Sequence, residues 1–164
     1  MNTTWPKGLV RLLDGDDLGE KVGFTMQLLT VGPGGWPHVA LLGVGEVLIV
    51  DPDTVRFALW QTTTTSGNVA RYRQAVLGFV HDEAWCLARL EVEGVELLDH
   101  LPTPLLGVQA RLVDLRQDRA PYARLTGALT FELHEPASVL PRWRATVEAL
   151  LAAPTLNRLG DQRS

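Results

Sequence analysis

The sequence predicts a mainly β protein, an antiparallel barrel of six or more strands with a few flanking helices. Three observations carry that expectation. Short apolar segments of strand length recur along most of the chain, with Gly-, Pro- and Asp-rich turn signals between them. The one long apolar stripe at helical spacing lies near the C-terminus, on Val139, Leu140, Trp143, Val147, Leu150 and Leu151. Strands and helices do not alternate in the way a parallel sheet requires.

The elements follow in order. Lys7 to Leu18 carries Leu9, Val10, Leu12 and Leu13 ahead of an acidic cluster, Asp14, Asp16 and Asp17, and reads as a short helix entering a solvated turn. Val22 to Thr30 is the first strand. Gly32-Pro33-Gly34-Gly35 turns the chain, and Trp36 to Val44 completes a hairpin. Val47 to Val50 is short and stops at Asp51-Pro52-Asp53, before the strand Val55 to Trp60. The polar run Gln61 to Asn68 is expected as a loop, followed by a helical turn over Val69 to Gln74. Ala75 to Val80 and Ala84 to Val92 pair across His81-Asp82-Glu83. Val108 to Leu115 alternates well, Leu125 to Leu133 is expected as the last strand, and Pro136 and Ser138 open the final helix. Residues 1–156 are expected as one domain, and the polar residues 157–164 as a flexible tail.

Composition narrows the function classes. The 164 residues are 46% hydrophobic and 21% charged, values of an ordinary globular chain. A net charge of -4 gives no basic face for nucleic acid. No stretch approaches the roughly 20 apolar residues of a membrane span, and Met1 to Pro6 has no signal-peptide character. A soluble, cytoplasmic protein is expected. Cys86, the single cysteine, lies between Trp85 and Leu87 and reads as a small packed hydrophobe. His38, His81, His100 and His134 match no local metal-binding spacing, so no metal site is expected. Ser66 lacks the context of a nucleophile elbow, and the threonine run lacks the Gly and Lys of a P-loop.

That run has chemistry of its own. Thr62, Thr63, Thr64, Thr65 and Ser66 place hydroxyl donors in a row, Gly67 permits close approach, and the amides opening the next helix favour an anion. Arg71 or Arg73 would add a charge-assisted contact. Against this stands a purely structural reading, in which Ser66 or Asn68 caps the helix.

The order of features from Leu28 to Val92 resembles the pyridoxamine 5'-phosphate oxidase-like family of flavin-binding split barrels. The resemblance rests on Gly35-Trp36-Pro37-His38-Val39 after a glycine turn, and on Val55-Arg56-Phe57-Ala58-Leu59-Trp60 leading into the hydroxyl-rich loop. It continues through Asn68-Val69 with Arg71 beyond, and the return strand Ala75-Val76-Leu77-Gly78-Phe79-Val80. It implies a six-stranded, Greek-key split barrel acting as a homodimer, with FMN, or alternatively F420 or no cofactor, in a groove between subunits. The phosphate would sit on the loop after Trp60, and the flavin ring along the strand that begins at Pro37 and Val39. The implied cofactor-binding set is His38, Val39, Ala40, Leu41, Trp60, Thr62, Thr63, Thr64, Thr65, Ser66, Asn68 and Arg71. His38 would hydrogen-bond a ring carbonyl or donate a proton, unless it is simply an exposed strand-end residue.

The expected activity is that of a flavin-dependent oxidoreductase, with substrate and catalytic residues unassigned. A second reading makes the same dimer a non-catalytic flavin or small-anion binding module. It is favoured by a departure from the family pattern, in which flavin binders commonly carry Arg or Lys shortly after the Pro37 position and just before the Asn68 position. Here those places hold Ala40 to Gly45 and Thr65 to Gly67.

Overall fold

The computed structural model describes residues 1–153 and Leu156, so the expected tail at 157–164 lies outside the described residues. The chain forms helix α1 (Lys7–Leu12), a short 3-10 turn at Leu18–Glu20, and strands β1 (Met26–Val31), β2 (Pro37–Leu42), β3 (Val47–Asp51) and β4 (Thr54–Trp60). Helix α2 (Thr64–Tyr72), strands β5 (Gln74–His81), β6 (Ala84–Leu98) and β7 (Leu105–Asp118), and helix α3 (Pro136–Ala152) follow. All strand pairs are antiparallel, in the order β2-β1-β5-β6-β7-β4-β3.

That order forces curvature. The two edge strands, β2 and β3, are consecutive in the chain, and the path from Leu42 to Val47 reaches at most roughly 18 Å. Six inter-strand spacings laid flat would take about 29 Å. The sheet must therefore curl until its edges meet at the Gly43–Glu46 corner, which is the geometry of a split barrel. Register shifts between Arg89 and Leu90 and between Val92 and Gly94 break the long β6–β7 ladder where it bends.

The sheet has seven strands, not six. The extra strand is the short β3, which stays in register with β4 from Val47↔Phe57 to Ile49↔Val55. The expected strand from Leu125 to Leu133 is not in the sheet. Residues 123–133 take no regular structure and are mostly exposed. Their apolar residues hold the ends of a loop instead: the Leu125 amide donates to Glu83 O at 3.2 Å, and Phe131 packs edge-on against Trp143. The barrel interior is filled from every strand, with Met26, Leu28, Leu42, Val47, Phe57, Leu77, Phe79, Ala88, Val108 and Leu112 all buried.

Helix α3 closes one side of the barrel. Pro136 opens it, in the first turn where a missing N–H costs nothing. Its apolar stripe buries Trp143, Val147 and Leu150, so Trp143 anchors the last helix as its spacing implied. The other end of the helix is fixed by Arg56 on β4. The guanidinium of this buried residue donates to Leu150 O at 2.6 Å and to Gln109 Oε1 at 3.0 Å, and Gln109 in turn donates to Glu93 Oε2 at 3.2 Å. A cation at a helix C-terminus also meets the negative end of the helix dipole. Burial lowers the Arg56 pKa, and the charges of Asp51 and Glu96 work against that shift.

Candidate functional site

The hydroxyl-rich run is not a loop before a helix; most of it is the helix. Thr63 is the N-cap of α2, in extended geometry, and its Oγ1 accepts the Ser66 N–H at 3.2 Å. The hydroxyls of Thr63 and Ser66 also both bond to Trp60 O, which closes the turn out of β4. These two side chains therefore satisfy the chain itself. Asn68 is buried and its Nδ2 donates to Thr30 Oγ1 at 3.1 Å, pinning α2 to β1. Arg71 sits in the last turn of α2, with its guanidinium 5.5 Å from the Tyr72 ring centroid. That places it roughly 10 Å along the axis from the helix start.

What the fold brings together is a cavity of 580 Å³ beside the β2–β3 corner. One wall is β2, from His38 through Val39, Ala40 and Leu41 to Leu42. A second is the end of β4 with Trp60, joined by Thr63 and Thr65 at the start of α2. The segment 101–105 and the α3 residues Pro141 to Trp143, Ala145 and Thr146 complete it. His38, Val39, Ala40, Leu41, Trp60, Thr63 and Thr65 of the expected set thus share one cavity. Thr62, Thr64, Ser66, Asn68 and Arg71 do not line it.

The amides of Ser66 and Gly67 are taken by the Oγ1 and O of Thr63. Those of Thr64 and Thr65 belong to the first turn, whose N–H groups have no partner within the helix, and of the two residues Thr65 lines the cavity. The walls are otherwise mostly apolar. The ionisable residues lining the cavity are His38, Glu46 and Arg142. Glu46 Oε2 accepts the Gly43 N–H at 2.7 Å. Burial raises the Glu46 pKa, and the Gly43 N–H and the Arg142 charge oppose the shift.

Glu46, Arg142, Trp143, Thr146 and the 101–105 segment were not legible as site residues. Glu46 stands alone between a glycine and an apolar strand, and α3 reads as an ordinary amphipathic helix. The only sequence signal was negative, the absence of any Lys or Arg between Trp36 and Val55, which leaves a cation to be supplied from elsewhere. Cys86 is fully buried and burial raises its thiol pKa, so it has the character of a packed hydrophobe. No cluster of three or more metal-ligating side chains occurs among the described residues, and no helix there is long and apolar enough to cross a membrane.

No family model matches the chain. The uncharacterized protein YclD of Bacillus subtilis (strain 168) is 35% identical over 142 residues, which cover 87% of this chain and 92% of YclD. The chain belongs to the YclD family. Among solved structures, a Lactobacillus delbrueckii protein assigned as a pyridoxamine 5'-phosphate oxidase superposes with a TM-score of 0.51 at 15% identity, covering 70% of this chain and 94% of that one. An F420 reductase superposes with a TM-score of 0.49 at 15% identity, covering 68% of this chain and 98% of that one. At such identities the likeness is one of fold, and this YclD-family chain has the pyridoxamine 5'-phosphate oxidase-like split barrel.

Proposed function

We propose that this YclD-family protein binds FMN in the cavity between β2, the start of α2 and α3, and works as a homodimeric flavin-dependent oxidoreductase. The observation that carries this reading is the convergence of β2 and the α2 N-terminus on one cavity. A flat ring lies along His38 to Leu41, with a phosphate toward the amide and hydroxyl of Thr65 at the start of α2. The cavity volume lies within the range of small-ligand sites, and its mainly apolar lining with a few polar groups has the expected character. Trp60, half-exposed at the rim, offers a face for stacking.

FMN, when bound, supplies the hydride or electron transfer. The protein's own residues position it, exclude water through the α3 wall, and leave His38 at the edge as a hydrogen-bond partner. Support for the dimer comes from the outer face of β1 and β2. Val31 is exposed there, as are Val39 and Leu41, which also line the cavity, where an antiparallel sheet facing water normally carries polar residues. Trp36, 83% exposed at the hairpin tip, extends the same edge.

The test is titration of the purified protein with FMN, followed by flavin fluorescence and by visible absorbance after dialysis. Saturable quenching with retained flavin bands supports the reading, and turnover with NAD(P)H supports the oxidoreductase activity. Retained flavin without turnover favours the binding module, which the missing cations near Ala40 and Thr65 also favour. An unchanged flavin signal ends the FMN reading.

A further inference from the structure

The cavity has an anion problem. Its phosphate-facing end offers the amide and hydroxyl of Thr65, while Thr63 and Ser66 are engaged in the cap and Arg71 lies at the far end of the helix. No lysine or arginine is contributed by β2, β4 or α2. The one guanidinium on its wall belongs to Arg142 of α3.

Arg142 is exposed, and its side chain makes no hydrogen bond or ion pair among the described residues. Its charge is felt by Glu46, but the two do not form a salt bridge. The helix that carries it is anchored on both sides: Trp143 is buried against the β2–β3 corner, and Arg56 holds the Leu150 carbonyl. The rigid helix places the Arg142 backbone beside the cavity, so that binding an anionic ligand has only the side chain left to order.

We propose that Arg142 holds the anionic end of the cavity's ligand, supplying the charge that β2 and the start of α2 lack. This inference rests on the flavin reading above and adds to it a residue from an element outside the resemblance.

FMN and riboflavin separate the two ideas, because they share the ring and differ in the phosphate. Dissociation constants for both are measured by fluorescence quenching with the wild-type protein, Arg142→Gln and Arg142→Lys. The proposal expects Arg142→Gln to weaken FMN about tenfold or more, the loss of one charge-assisted contact, with riboflavin within about twofold. Arg142→Lys should recover most of the FMN affinity, and added salt should weaken FMN for the wild type more than for Arg142→Gln. An Arg142→Gln protein that binds FMN as the wild type does, or that loses FMN and riboflavin equally, overturns the role of Arg142 while leaving the flavin reading standing. A wild-type protein that binds neither compound overturns both.

Discussion

A β-carbon added to Gly45 would overlap Cγ of Trp143. The indole occupies the space that any side chain at residue 45 would need, and the neighbouring Gly43 faces the same ring, with its added β-carbon 3.1 Å from the Trp143 Cη2. The contact joins the corner between β2 and β3 to α3, and so sets one wall of the cavity. Gly45→Ala should displace the helix and cost about 1–3 kcal/mol by overpacking. Trp143→Ala should cost about 3–5 kcal/mol. Because the two share one contact, the double variant should be more stable than the sum of the single losses implies. Urea denaturation of the four proteins measures this, and strict additivity would show that the contact does not form.

Arg56 fixes the opposite end of α3. Replacing it with alanine leaves the Leu150 carbonyl and Gln109 without their partner in a buried place, at an expected cost of about 2–4 kcal/mol. Loss of helical circular dichroism ahead of the main unfolding transition would show α3 detaching first. An unchanged midpoint in urea would mean that the network contributes little.

Thr63 and Thr65 separate capping from ligand binding. Thr63→Ala removes the N-cap and should lower stability by about 1 kcal/mol, whatever the ligand. Thr65→Val keeps the shape, leaves the cap intact and should weaken FMN by about 1 kcal/mol through its lost hydroxyl contact. If Thr65→Val leaves FMN affinity unchanged, the phosphate does not reach the start of α2.

Glu46 gives a pH dependence of defined sign. Its folded pKa is raised by burial, so the folded state holds the proton more tightly than the unfolded chain does. The stability this contributes is fully present below the unfolded pKa and is lost as pH rises through the raised folded value. Glu46→Gln can keep the bond from the Gly43 N–H without the desolvated charge. Its stability relative to wild type should therefore increase from acid to neutral pH. Thermal unfolding of both proteins from pH 4 to pH 8 checks the sign, and the opposite trend would show the carboxylate to be stabilised where it sits.

The proposed dimer rests on exposed apolar residues on β1 and β2. Light scattering at micromolar concentration should give twice the 18.0 kDa chain mass. Val31→Lys, on the outer face and away from the cavity lining, should shift the mass toward the monomer. A wild-type monomer under those conditions would remove the dimer from the proposal.

The sequence by itself determined the strands and their turns, because alternation and glycine-rich punctuation are local signals that the barrel only had to accept. Strands β1, β2 and β4 to β7, the terminal helix and the packing role of Trp143 all follow from residues close in the chain. The tertiary structure decided the rest. Leu125 to Leu133 has the composition of a strand, yet it pairs with neither edge strand and is held instead by the Leu125 amide on Glu83 O and by Phe131 against Trp143. The threonine run has the composition of an anion loop, yet Thr63 Oγ1 accepts the Ser66 N–H, because helix ends must satisfy their own amides first, and both hydroxyls donate to Trp60 O. Glu46 and Arg142 are 96 positions apart in the sequence and meet only because the sheet curls its edges into one corner and α3 crosses over it. No periodicity connects such residues, so the charges of the site were visible only once the barrel had closed.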